Sequence, residues 1–297
     1  MTEPSASLLK RTRVLEIIAR RNVSSILSGE YLTGVPGEGL EFHEARHYVP
    51  GDPVRHIDWN MTARMDEPYV RTYLEERERE VIVAVDVSPS MRTGWQERTK
   101  IETAVEIAAT LAASAVSAGD KVGLVTFDDA ARDVLRPRSG RAQLMRVVRS
   151  LLERMDAEPR AVKESDPRAA IHAVQAWRNR RFVVFLVSDF VDHDVPEDLA
   201  YMRRQHDVSL LHVFDPLEYP PDGSKSPLRM PVFAPEGPRN AGWWRPGDTE
   251  DFATVTGFLG RAARKRGIFA ESISTADPVG PALAAFFHHK RAALTAR

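Results

Sequence analysis

The sequence predicts a doubly wound α/β fold, a mostly parallel sheet with helices on both faces, from three observations. Val81-Ile82-Val83-Ala84-Val85 and Phe182-Val183-Val184-Phe185-Leu186-Val187 are continuous apolar runs of strand length, as expected of strands buried on both sides of a parallel sheet. Such runs alternate along the chain with segments of helical periodicity, which is the βαβ pattern. The first run ends in Asp86-Val87-Ser88-Pro89-Ser90, placing polar side chains at a strand's carboxyl end, where open α/β sheets bind their ligands.

With 297 residues the chain has room for one large domain and a smaller one. Its hydrophobic content of 43% and charged content of 28% are those of an ordinary globular protein, and a net charge of −1 encodes no global attraction to nucleic acid or anionic membrane. The absence of cysteine excludes disulfides, thiolate nucleophiles and cysteine-ligated zinc. Met1 to Arg13 has no apolar core of signal-peptide length, and no apolar run is long enough to cross a bilayer. A cytoplasmic protein without membrane insertion is the expectation.

Leu8 to Leu27 has apolar residues at helical spacing and is expected to be an amphipathic helix. After a Gly-rich stretch, Leu40 to Val49 partly alternates and predicts a strand, with another around Val70 to Leu74. These elements are expected to form a small N-terminal helix and β-rich subdomain over residues 1–78. Arg46, Asp52, Arg55, Asp58 and Trp59 belong to its dense charged cluster, read as a salt-bridged seam. The main domain, 79–297, continues from the central strand Val81–Val87 with a helix over Lys100–Ala118, a strand over Val122–Phe127 and an Arg-rich helix over Leu144–Met155. A helix from Ser165-Asp166-Pro167 to Trp177 follows, with Pro167 suited to its first position. The strand Phe182–Val187, a helix over Pro196–His206 and a strand over Val208–Phe214 come next. A Pro/Gly-rich insertion at about 215–247 is expected to hold a short hairpin near Leu228–Ala234, before helices over Asp248–Arg266 and Pro278–Arg291.

In this arrangement Asp86 and Asp189 end neighbouring buried strands, and Ser165 precedes a helix that can approach the same rim. With Ser88 and Ser90 they offer five hard oxygen donors, a set suited to Mg²⁺ or Mn²⁺. The plainer reading of Asp86-x-Ser88-x-Ser90 is a strand end that caps the next helix. His43-Glu44-Ala45-Arg46-His47 satisfies the zinc-protease pattern H-E-x-x-H, but that chemistry needs a helix. Glycines upstream and Pro50-Gly51 downstream leave it little room. There is no nucleotide-binding loop and no nucleophile elbow, so a non-enzymatic binding module is expected. A metal-dependent phosphoester hydrolase built on Asp86 and Asp189 is the alternative. The arginines between Arg132 and Arg181 are interspersed with acids and lack stacking aromatics, so a nucleic-acid partner is not expected.

Asp86-x-Ser88-x-Ser90, with Asp189 after an apolar strand and Ser165 at the middle position, resembles the metal-ion-dependent adhesion site of von Willebrand factor A domains. That family's middle residue is usually Thr. Gly39-Leu40-Glu41-Phe42, Arg46-x-Tyr48-x-Pro50-Gly51-Asp52, Arg55-x-Ile57-Asp58-Trp59 and Ala63-Arg64 further resemble the MoxR-associated bacterial family called domain of unknown function 58. So do Asp86-Val87-Ser88-x-Ser90-Met91, Ser188-Asp189-Phe190, His206-Asp207-Val208 and Phe286-Phe287. The resemblance implies a von Willebrand factor A-like domain and a metal bound by Asp86, Ser88, Ser90, Ser165 and Asp189. It also implies a role beside a MoxR-type AAA+ ATPase in maturing, assembling or inserting metal into client proteins. An open position on the metal is expected to take a carboxylate from that ATPase or from a client.

Overall fold

The computed structural model describes residues 6–23, 40–49, 57–65, 67–75, 78–94, 98–158, 165–177, 180–190, 197–218, 230–232, 242–244 and 252–295. They fall into two units, Met1–Gly34 with Glu80–Arg297, and Val35–Arg79.

The smaller unit contains β1 (Leu40–His47), α2 (Trp59–Met65) and β2 (Tyr69–Glu75), the first helix of the chain, α1 (Ala6–Val23), lying outside it. β1 and β2 pair antiparallel with an irregularity between Phe42 and Glu44. The expected strands are therefore present. The backbone from His43 to His47 is extended, so the helix that H-E-x-x-H requires is not formed. His47 instead bonds Tyr69 Oη at 3.1 Å and lies 3.1 Å from Glu67. Asp58 caps α2, its Oδ1 accepting from the backbone N–H of Asn60 and Met61, and Trp59 is exposed. Asp52 and Arg55 of the expected charged cluster lie outside the described residues.

In the larger unit, α1 packs on α3 (Lys100–Ser117) and α4 (Arg141–Asp156). The helix grouped by sequence with residues 1–78 thus belongs to the main unit. Its Glu16 is buried and accepts from Arg141 at 2.8 and 3.0 Å, a pairing that holds the Glu16 carboxyl below its ordinary pKa.

The sheet of this unit has six strands: β3 (Glu80–Asp86), β4 (Lys121–Phe127), β5 (Ala131–Arg138), β6 (Phe182–Ser188), β7 (Asp207–Phe214) and β10 (Phe269–Ser274). Their order is β10-β7-β6-β3-β4-β5, parallel except for β5, which runs antiparallel to β4 at one edge. β3 and β6 are almost wholly buried, as their continuous apolar runs require. Side chains alternate faces along a strand. Ile82, Ala84, Phe182, Val184 and Leu186 join one core with α5 (Pro167–Gln175), α6 (Asp198–Gln205) and α7 (Phe252–Lys265). On the other face Phe185 meets Phe286 and Phe287 of α8 (Val279–Thr295) edge to face, and α3 packs against β3.

Of the hairpin expected near Leu228–Ala234, the described residues hold one strand, β8 (Met230–Val232); it pairs antiparallel not within that span but with β9 (Gly242–Trp244), which is absent from the sequence reading. The rest of 219–247 lies outside the described residues. Two edge strands, β5 and β10, and the short α2 are absent from the sequence reading. Among the described residues no helix is long and apolar enough to cross a membrane.

Candidate functional site

The chain order reverses between β3 and β6: β4 and β5 extend the sheet to one side of β3, and β6 returns to the other. The crevice at the carboxyl ends of these two strands is the topological switch point of the sheet. Asp86 ends β3, Ser188 ends β6, and Asp189 is the next residue after β6.

Asp86 is fully buried. Its Oδ1 accepts from the backbone N–H of Ser88 at 2.9 Å. Its Oδ2 accepts from Ser165 Oγ at 2.8 Å and Ser188 Oγ at 2.6 Å. Ser88 precedes a 3₁₀ turn, Pro89–Arg92, that folds Ser90 back so that the two hydroxyls lie 3.0 Å apart. Ser165 is brought in by its neighbours. The Asp166 N–H donates to Asp128 O at 2.9 Å, anchoring the loop beyond β4, and the Asp166 side chain caps α5 through Arg168 N. Burial raises the Asp86 pKa most, the Asp189 charge raises it further, and bonds from Ser188 and Ser88 pull it back, leaving it at about 7.

Asp189 is equally buried, and its Oδ2 accepts from Lys100 Nζ at 2.8 Å. Its Oδ1 is buried with no hydrogen-bond partner among the described residues. The next residue, Phe190, takes φ 43°, a left-handed conformation rare for a bulky side chain. Its N–H donates to Ser188 Oγ at 3.1 Å, so the chain turns sharply where the carboxylate is presented. Lys100 Nζ also donates to Glu218 Oε1 at 2.7 Å.

The structure therefore joins Asp86, Ser88, Ser90 and Ser165 by direct bonds, and sets Asp189 near enough for its charge to act on Asp86. Three participants are absent from the sequence reading of the site: Ser188, Lys100 and Glu218. Ser188 directly precedes Asp189 at a strand end, which is a usable signal. Lys100 shows only as a cation on the first turn of a helix otherwise rich in apolar residues, and Glu218 shows no signal in the sequence.

Chemically the crevice offers two carboxylates and a group of hydroxyls. Among the described residues no three His, Cys, Asp or Glu cluster as metal ligands, so a zinc-type donor set is not assembled there. An all-oxygen set with one orphaned buried carboxylate oxygen, Asp189 Oδ1, fits a hard divalent cation.

Residues 44–226 match the family model described as "Protein of unknown function DUF58". Uncharacterized protein Rv1480 of Mycobacterium tuberculosis and uncharacterized protein Mb1516 of Mycobacterium bovis are each 32% identical over 205 residues, 69% of this chain. The match spans 64% of the length of those relatives. Among solved structures, the chain is similar to the conserved hypothetical protein BatB from Bacteroides thetaiotaomicron, with a TM-score of 0.48, 16% identity and coverage of 72% of this chain and 99% of that one. It is also similar to a von Willebrand factor type A protein from Catenulispora acidiphila, with a TM-score of 0.41, 15% identity and coverage of 75% and 44%. The chain belongs to the DUF58 family and carries a doubly wound α/β domain.

Proposed function

We propose that this protein is a non-enzymatic interaction module that binds Mg²⁺ or Mn²⁺ through Asp86, Ser88, Ser90, Ser165 and Asp189. The observation that carries the reading is the buried Asp189 Oδ1, which has no hydrogen-bond partner among the described residues at a crevice lined by hydroxyls. An unpaired buried carboxylate oxygen is costly, and a bound cation offsets that cost. The bound cation would supply a Lewis-acidic centre that accepts a carboxylate from another protein, a directional contact in a partly dry interface.

The partner follows from the resemblance alone: a MoxR-type AAA+ ATPase, or a client presented to it during maturation or assembly, in the cytoplasm. The test is co-purification of the full chain with the MoxR-type ATPase of the same cell, with and without EDTA and with Asp86→Ala. Recovery of the ATPase only with the cation and intact Asp86 is expected. Recovery indifferent to both contradicts the reading.

A further inference from the structure

Lys100 breaks a local rule. The first turn of a helix carries a partial positive charge that disfavours a cation, yet Lys100 opens α3. It is only 3% exposed, a depth lysine almost never reaches unless paired. Its ammonium bridges Asp189 Oδ2 at 2.8 Å and Glu218 Oε1 at 2.7 Å. Burial penalises the charge, but the two carboxylates outweigh that penalty and keep the lysine protonated, its pKa raised above the ordinary value.

Glu218 is itself tied to the crevice. Its Oε2 accepts from Asp215 N at 3.3 Å, and its Oε1 lies 3.5 Å from Thr93 Oγ1, which donates to Ser90 O at 2.7 Å. The ammonium thus has two simultaneous anchors, one a carboxylate of the candidate cation site and the other outside the five-donor set. A positive charge against Asp189 lowers the attraction of that carboxylate for a second cation.

We propose that Lys100 sets the affinity of the crevice for divalent cations: it is a tethered ammonium that competes with the ion for Asp189, and Glu218 draws it away. The proposal rests on the cation-binding reading of the same crevice. It has a directional signature. Removing the Glu218 charge leaves the ammonium wholly on Asp189 and weakens ion binding. Removing Lys100 and the Glu218 charge together leaves the net charge of the crevice unchanged but frees Asp189, and strengthens binding. Neither a net-charge effect nor a purely structural salt bridge produces the gain in the double variant.

The test is calorimetric titration of MnCl₂ into the full chain as wild type, Glu218→Gln and Lys100→Met/Glu218→Gln, with folding checked by circular dichroism. Expected are binding about tenfold tighter than wild type in the double variant and several-fold weaker in Glu218→Gln. Equal or weaker binding by the folded double variant, with wild-type binding intact, overturns the role of Lys100 and leaves the cation site standing. No binding by either wild type or double variant overturns the cation reading itself. Should the double variant fail to fold, Lys100→Gln/Glu218→Gln keeps an uncharged donor for Asp189. That variant is expected to show the same gain, and unchanged affinity in it overturns the proposal.

Discussion

Ser165 Oγ donates to Asp86 Oδ2 at 2.8 Å across 79 positions of sequence. This bond closes the loop before α5 onto the end of β3 and completes the hydroxyl side of the crevice. Ser165→Ala is expected to weaken Mn²⁺ binding about tenfold, while stability falls by only about 1 kcal/mol, because Ser165 is part-exposed and water can replace the lost donor. Ser165→Thr keeps the hydroxyl and should retain both properties. Calorimetric titration and thermal denaturation of the two variants check this, and equal Mn²⁺ affinity in Ser165→Ala removes Ser165 from the donor set.

Asp86 imposes a pH dependence. Its pKa is raised by burial and by Asp189 to about 7, whereas an unfolded Asp ionises near ~3.9. Between about pH 4 and pH 7 the folded protein therefore holds a proton that the unfolded chain has released, so stability falls as pH rises through this window. The loss totals roughly 4 kcal/mol in the absence of a cation and levels off above the folded pKa. In EDTA the urea midpoint should be higher at pH 5 than at pH 8, with the difference largely lost in Asp86→Asn. Mg²⁺ should raise the midpoint more at pH 8 than at pH 5. A midpoint that rises with pH contradicts this account.

Ser188 holds the same carboxylate oxygen from the opposite strand at 2.6 Å and accepts from Phe190 N at 3.1 Å. It is buried, so no solvent replaces what is lost. Ser188→Ala is expected to destabilise the protein by about 2–3 kcal/mol, more than Ser165→Ala. It should also move the pH-dependent loss of stability to higher pH, since this bond is among those that lower the Asp86 pKa. Denaturant titration at several pH values reads both effects.

Gly123 lies in β4 where a Cβ would stand 2.7 Å from Leu135 O, 2.9 Å from Ile82 Cδ1 and 3.0 Å from Pro137 N. The obstruction is mostly the backbone of β5, which cannot turn aside as a side chain can. Gly123→Ala should separate β5 from β4 and destabilise the domain by about 1–3 kcal/mol. A melting temperature equal to wild type would show that this edge pairing is not as tight as described.

What could be read from the sequence depended on distance. β3 and β6 are central and buried on both faces, so their apolar runs are continuous and unmistakable. β5 and β10 lie at the sheet edges with partly exposed side chains. Ala131-Arg132-Asp133-Val134-Leu135-Arg136-Pro137-Arg138 consequently has no continuous apolar run, and α2, with no buried residue, leaves no apolar stripe. Asp86, Ser88 and Ser90 are contiguous, and the turn beginning at Pro89 brings the serine hydroxyls together locally. The Lys100 bridge joins residues 89 and 118 positions away. Such a pairing has no periodicity to betray it, and only the fold brings it into view.

The central claim is that the crevice between β3 and β6 binds one divalent cation. It is tested most directly by titrating Mn²⁺ into the full chain and following free Mn²⁺ by electron paramagnetic resonance, for wild type and Asp86→Ala. The account expects stoichiometric uptake of one ion per chain by wild type and its loss in Asp86→Ala. No stoichiometric uptake by wild type, or uptake unchanged in Asp86→Ala, would contradict it.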